Sequence, residues 1–230
     1  MRLLLFDIDG TLIRARGVGK RAYLRTCSQV CGLPEANFYH DSLNLAGKTD
    51  PLIIEEMLAV AEVEATSEII EEILARYPQA LQKELSDNPD IVQALPGMRE
   101  VLELLAPEVK QGKAALGLVT GNVRAGAELK LAPVQMNSFF SVGAYGCDAR
   151  DRNHLPAIAV RRAKNPKITP EDVIIIGDTP RDIACARYFG ARVMAVATGS
   201  YPASDLAEHA PDWLVEEVMP KDMAETLLHA

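Results

Sequence analysis

Leu3-Leu4-Leu5-Phe6-Asp7-Ile8-Asp9-Gly10-Thr11 begins as a buried strand and ends in paired acids. Two acids one residue apart would normally face opposite sides of a strand. Gly10-Thr11 breaks the strand directly after them, so both carboxylates can turn toward one point. Nothing in packing calls for two carboxylates at the end of an apolar segment. They cost free energy there unless they meet a cation, a proton or a hydrogen-bond donor. Asp7 and Asp9 are therefore the first candidates for chemistry. The alternative, an acidic turn after a buried strand, has to be weighed against the rest of the chain.

Further along lie three more apolar runs, Ala114–Val119, Val173–Ile176 and Val193–Ala197, and a weaker fourth at Phe139–Val142. Continuous apolar residues predict strands covered on both faces, as in a parallel sheet. Helical patterns separate them, at Met98–Val109, Val123–Leu131, Leu155–Lys164 and Arg181–Phe189. Strand and helix in alternation predict an α/β fold with a doubly wound, Rossmann-like parallel-sheet core. The stretch from about Ile13 to Gln93 differs, with no convincing strand and helical periods at Ala22–Cys31, Asp50–Val63 and Ser67–Leu85. Asp50-Pro51 and Thr66-Ser67 supply helix starts. The expected organisation is a core of residues 1–13 and 94–230 with an inserted α-helical cap over 14–93. Pro96-Gly97 marks the return to the core, and Pro211-Asp212-Trp213-Leu214-Val215 suggests a last short strand anchored by Trp213.

Length and composition fit this picture. The 230 residues can bury a real core, and 48% hydrophobic with 24% charged residues is ordinary for a globular protein. A formal net charge of −8 argues against a nucleic-acid binder but permits a small phosphorylated substrate in a local basic pocket. Cys27 and Cys31 stand four apart without a nearby histidine or third cysteine, which favours simple thiols over a metal site. The amino-terminal apolar run is too short for a secretion signal, and no segment approaches the ~20 apolar residues of a membrane span. The expectation is a cytoplasmic protein with no membrane or nucleic-acid partner, as a monomer or homodimer.

Ligands of open α/β sheets sit beyond the carboxyl ends of the strands. Several polar groups fall at such ends: Asp7 and Asp9, then Thr120-Gly121-Asn122, then Gly177-Asp178-Thr179-Pro180-Arg181-Asp182. Arg150-Asp151-Arg152-Asn153 precedes the last of these. Asp7, Asp9 and Asp178 supply hard oxygen ligands suited to magnesium. Thr120 offers a hydroxyl, and Gly121 and Asn122 offer amides at a helix start, where anions bind. Arg152 can hold two phosphate oxygens at once. Singly, each has a structural reading: Thr120 as a helix cap, Asp178 and Asp182 as a cap and a first-turn acid, Arg152 as a surface charge. Together, in this order, they describe phosphoryl transfer.

These residues resemble the haloacid dehalogenase-like hydrolases, most closely the phosphoglycolate-phosphatase-like branch with a helical cap. Asp7-Ile8-Asp9-Gly10-Thr11 resembles the first motif of that family, Val119-Thr120-Gly121-Asn122 the second, and Gly177-Asp178 with Asp182 the fourth. The third motif usually carries a lysine. Here Arg152 stands 26 positions before Asp178, near where that lysine would fall. Arg150 and Lys164 are the fallback candidates, and arginine keeps the charge while changing reach and geometry.

The resemblance implies a magnesium-dependent phosphatase acting on a small phosphorylated metabolite. Asp7 would be the nucleophile and form an aspartyl-phosphate, and Asp9 would act as general acid and base. The metal would contact Asp7, the Asp9 backbone carbonyl and Asp178, with Asp182 orienting its waters or Arg152. Gly10, Thr11, Gly121 and Asn122 would lie against the substrate, with Thr120 and Arg152 holding the transferring oxygens. Gly47-Lys48-Thr49-Asp50 resembles the specificity loop of the cap, which places Lys48 on the leaving group or phosphate; a plain helix-start loop is the other reading. Gly17-Val18-Gly19-Lys20 lacks the spacing of a phosphate loop.

Rivals on the same fold are a dehalogenase, a phosphomutase, a phosphonate hydrolase using Lys20 or Lys48, and a non-catalytic phosphate-binding member. Asp9 favours phosphate over halide, because carbon–halogen cleavage needs no second, proton-donating aspartate. Receiver domains of signalling proteins share clustered acids but are about half this length and lack a cap.

Overall fold

The computed structural model describes residues 1–229. Strand β1 (Arg2–Phe6) is followed by a two-residue strand β2 (Ile13–Arg14), helices α1 (Val18–Cys31), α2 (Asp50–Val60) and α3 (Ser67–Asp87), and a short strand β3 (Gln93–Ala94). Strand and helix then alternate through α4 (Met98–Lys110), β4 (Ala114–Val119), α5 (Arg124–Leu131), β5 (Val142–Ala144) and α6 (Leu155–Arg162). The chain ends with β6 (Val173–Gly177), α7 (Pro180–Phe189), β7 (Arg192–Val196), α8 (Ala203–Ala207), β8 (Trp213–Val215) and α9 (Pro220–His229).

Six strands form one parallel sheet in the order β5-β4-β1-β6-β7-β8. Leu4 pairs with Leu116 of β4 on one side and with Ile174 of β6 on the other. The chain therefore winds outward from β1 through β4 and β5, then returns to the opposite side of β1 and winds outward again. That reversal opens a crevice at the carboxyl ends of β1, β4 and β6. The apolar runs are continuous because both sheet faces are covered. Leu4 and Phe6 join one buried cluster with Leu102 of α4, Leu131 of α5 and Leu227 of α9. Leu3 and Leu5 join a second with Ala159 of α6 and Ile183 of α7.

Two expectations are corrected. The weak strand at Phe139–Val142 starts later, at Val142, because Asn137–Phe139 closes into a 3₁₀ turn first. The stretch from Ile13 to Gln93 does carry strand structure at its limits: β2 and β3 pair antiparallel, Ile13 with Ala94 and Arg14 with Gln93. Two residues are too few for a periodic signal. This small ribbon brings together the two points where the chain leaves and rejoins the sheet.

Between them, α1 packs along α3, and α3 meets α5. Tyr23 of α1 and Tyr77 of α3 stack face to face, with ring centroids 3.9 Å apart. Thr66 caps α3 through the Ile69 amide, and α2 begins at Asp50 with Pro51 in its first turn. Among the described residues, no helix is long and apolar enough to cross a membrane.

Candidate active site

A cleft of about 480 Å3 opens at the carboxyl edge of the sheet, beneath the helical segment. Asp7, Asp9, Thr120 and Asp178 line it from the sheet side, Lys48 from the loop before α2 and Tyr77 from α3. The strand ends thus converge across more than a hundred residues of sequence.

One wall is acidic. Asp7, Asp178 and Asp182 each offer an oxygen within 4.8 Å of the others, and all three are buried. Arg152, also buried, approaches Asp7 Oδ1 at 3.2 Å and pairs with Asp182 Oδ1. The Nη2 that meets both carboxylates also lies 3.3 Å from the Val119 carbonyl, and Nη1 donates to the Gly47 carbonyl at 3.1 Å. Burial works against the guanidinium charge, but Asp182 and Asp7 outweigh it and hold Arg152 above its ordinary value. Of the other basic candidates, Arg150 turns outward to Glu55 and Lys164 lies past the end of α6.

Asp182 is committed twice, since its Oδ2 also caps α7 by accepting from the Thr179 amide and hydroxyl at 3.0 and 2.7 Å. Asp7 and Asp178 remain directed at the cleft. Burial pushes the Asp7 carboxyl up to about 6, against the pull of Arg152 and with Asp182 and Asp9 adding to the rise. Asp178 stands well above the ordinary range for the same reason, reinforced by Asp182 and Asp7. Three buried carboxylates around one guanidinium carry surplus negative charge, which a hard divalent cation would neutralise.

The opposite wall is built around Asp9. Its Oδ2 accepts from Lys130 Nζ at 2.7 Å and from Asn122 Nδ2 at 2.9 Å, while the side chain stays 40% exposed toward the cleft. Lys130 Nζ also donates to Asn122 Oδ1 at 2.7 Å, and Asn122 Nδ2 donates to Thr120 Oγ1 at 2.8 Å. Asp9 and Asp7 thus face different partners, although one residue separates them.

Of the residues expected against the substrate, Gly10, Lys48, Gly121 and Asn122 line the cleft, and Thr11 does not. Thr11 is fully buried and donates its hydroxyl to Asp178 Oδ1 at 3.1 Å, so it steadies that carboxylate instead of facing the cleft. The Asn122 amide turns back onto Thr120 Oγ1 at 3.3 Å. The Val123 amide at the start of α5 is taken by Asp50 Oδ2 at 2.6 Å. Gly10 lines the cleft at φ +86°, where a side chain would be strained and would strike the Asp178 carboxylate. Gly121 lies so close to the loop of the helical segment that a Cβ would collide with the Lys48 carbonyl. Lys48 lines the cleft, but its ammonium is held by Glu56 at 2.5 Å.

Sequence reading missed Lys130 and Asp50. Lys130 lies on the buried face of α5 with Ala127 and Leu131, three after one and one before the other. A lysine in an apolar helix face is the signal that could have found it. Asp50 read as a helix start and is one, yet its carboxyl also accepts from the amide of Val123, which leads into α5. Burial raises it to about 6, with Lys130 opposing.

Comparison with known proteins gives the family and the fold. The sequence model of a family described as haloacid dehalogenase-like hydrolase matches residues 4–196. A phosphoglycolate phosphatase of Synechococcus elongatus is 26% identical over 232 residues, covering 99% of this chain and 97% of that protein. A pyrophosphatase PpaX of Anoxybacillus flavithermus is 25% identical, covering 94% of this chain and 92% of its own. Among solved structures, a predicted phosphatase from Clostridium acetobutylicum shares the fold at a TM-score of 0.71, with 18% identity and coverage of 100% of this chain and 99% of that one. The chain belongs to the haloacid dehalogenase-like hydrolases.

Proposed function

We propose that the protein is a magnesium-dependent phosphatase that hydrolyses a small phosphate monoester through an aspartyl-phosphate on Asp7. The observation that carries this reading is that two aspartates one residue apart face different surroundings. Asp7 lies against Arg152 and Asp178 in the acidic wall, and Asp9 stands opposite with its own donors. Names of relatives, phosphoglycolate phosphatase and pyrophosphatase, support the same class of chemistry.

Asp7 and Asp178, with the Asp9 carbonyl, would hold the metal. When bound it would offset the repulsion between an anionic nucleophile and an anionic phosphate. Arg152 and Thr120 orient the transferring oxygens. Asp7 attacks phosphorus while Asp9 delivers a proton to the departing oxygen. Water then attacks the aspartyl-phosphate, gives its proton to Asp9, and phosphate leaves with Asp7 restored. Residues 14–93 act as a cap that shields this chemistry from solvent, and Lys48, released from Glu56, contacts the substrate. The four cysteines are unpaired thiols, in keeping with a cytoplasmic enzyme.

Phosphate release from a panel of phosphorylated metabolites, including phosphoglycolate and pyrophosphate, tests the reading. Wild-type protein should turn over at least one of them only with magnesium present. Asp7→Asn should fold and lose turnover by at least about 10³-fold. Substantial activity surviving in Asp7→Asn would remove Asp7 as nucleophile. In the same assay Lys48→Ala should raise KM, and an unchanged KM and kcat would leave Lys48 with only its ion pair.

A further inference from the structure

We propose that Lys130 is a positioning residue for Asp9, selecting which carboxylate oxygen exchanges the proton with substrate. The proposal rests on the phosphatase reading above. Lys130 is 7% exposed, and a buried ammonium is costly unless it is paired. Packing of α5 gives no reason for a cation at this place. All of its polar contacts point instead at the acid–base wall: Asp9 Oδ2 at 2.7 Å and Asn122 Oδ1 at 2.7 Å.

The geometry fixes more than a salt bridge. An ammonium only donates, so the Asn122 atom facing it must be the carbonyl oxygen. That turns Asn122 Nδ2 toward Asp9 Oδ2, at 2.9 Å, and toward Thr120 Oγ1, at 2.8 Å. Asp9 Oδ2 consequently receives two donors, one of them charged. A proton on that oxygen would meet both. The transferable proton therefore belongs on Oδ1, the oxygen these donors leave free. Lys130 sets this choice directly through one contact and indirectly through the orientation of Asn122.

The helical segment roofs this cation. A Cβ added at Gly19 of α1 would sit 3.2 Å from both Lys130 Nζ and the Tyr77 hydroxyl of α3, so only a residue with no side chain fits over these two groups. Gly126 of α5 makes room for the Tyr77 ring, since a Cβ there would stand 2.9 Å from Cε1. Asp50, from the start of α2, adds its field to the same ammonium. Lys130 is thus roofed by α1 and α3 as well as anchored by its own helix, which holds it against Asp9.

A comparison of leaving groups tests the proposal. An alkyl phosphate needs its leaving oxygen protonated, whereas p-nitrophenyl phosphate releases a stable anion and needs little help. The second-order constant kcat/KM reports phosphoryl transfer to Asp7 in each case. Lys130→Met should lower kcat/KM for the alkyl phosphate by at least about 30-fold and for p-nitrophenyl phosphate by less than about 5-fold. Added to Asp9→Asn, the same substitution should cost less than about 3-fold further, because the group it positions is already gone. If Lys130→Met does not fold, Lys130→Gln is read on the same two substrates. Equal losses on both substrates in a folded variant, or no loss on either, would overturn the role of Lys130 while leaving the phosphatase standing. A wild-type protein inactive on both, and on the metabolite panel, would overturn the phosphatase and this inference together.

Discussion

Arg152, proposed to stand where the third motif usually carries a lysine, differs from a lysine in the number of partners it can reach. Its guanidinium serves Asp7, Asp182 and two backbone carbonyls from one buried position. One of those carbonyls, Gly47, belongs to the loop before α2, and the other, Val119, ends β4. A forked group can span the helical segment and the sheet edge together; a single ammonium on an unbranched stem cannot. Arg152→Lys should therefore keep the charge beside Asp7 yet lose the grip on Gly47. The expected result is at least a tenfold drop in kcat/KM and a stability loss of about 1–3 kcal/mol from carbonyls left without donors. Thermal unfolding and steady-state kinetics check both. Wild-type values for both would mean that only the charge matters here.

Elements meet across the cleft through their ends. The carboxyl of Asp50 at the start of α2 accepts from the amide of Val123, the residue that leads into α5, while the Asp50 amide donates to the Gly121 carbonyl at 2.8 Å. The start of one helix is thus tied to the approach to another. The tie has a pH signature, because burial raises the Asp50 carboxyl from 3.8 to about 6. Below pH 3.8 the group is protonated whether the chain is folded or not, and burial is then least costly. As pH rises through about 6 the folded protein must ionise a buried group, and that relative stability is lost. The loss is about 3 kcal/mol for a shift of this size. Asp50→Asn keeps an acceptor for the Val123 amide without the titration. Its stability relative to wild type should rise between pH 4 and 7, measured by chemical denaturation at each pH. A difference that does not change with pH would refute the raised carboxyl.

Across the whole molecule, the separation between what could and could not be read from sequence follows the range of the interactions. Helix limits are set locally, by caps such as Thr66 and by prolines in first turns, and most lie within a few residues of the sequence pattern. The parallel strands were legible because covering both sheet faces demands unbroken apolar runs such as Leu3–Phe6. β2 and β3 were not, since two residues carry no period. The acids at strand ends were visible because charge is out of place beside such runs. Their partners were hidden. Asp9 meets Asn122 and Lys130 across 113 and 121 positions, and Arg152 meets Gly47 across 105. Residue types and local spacing therefore determined the sheet, the helices and the candidate acids. Which side chains face one another depends on helix rotation, loop path and the docking of the helical segment. Those are properties of the packed chain, and they separate the surroundings of Asp7 from those of Asp9.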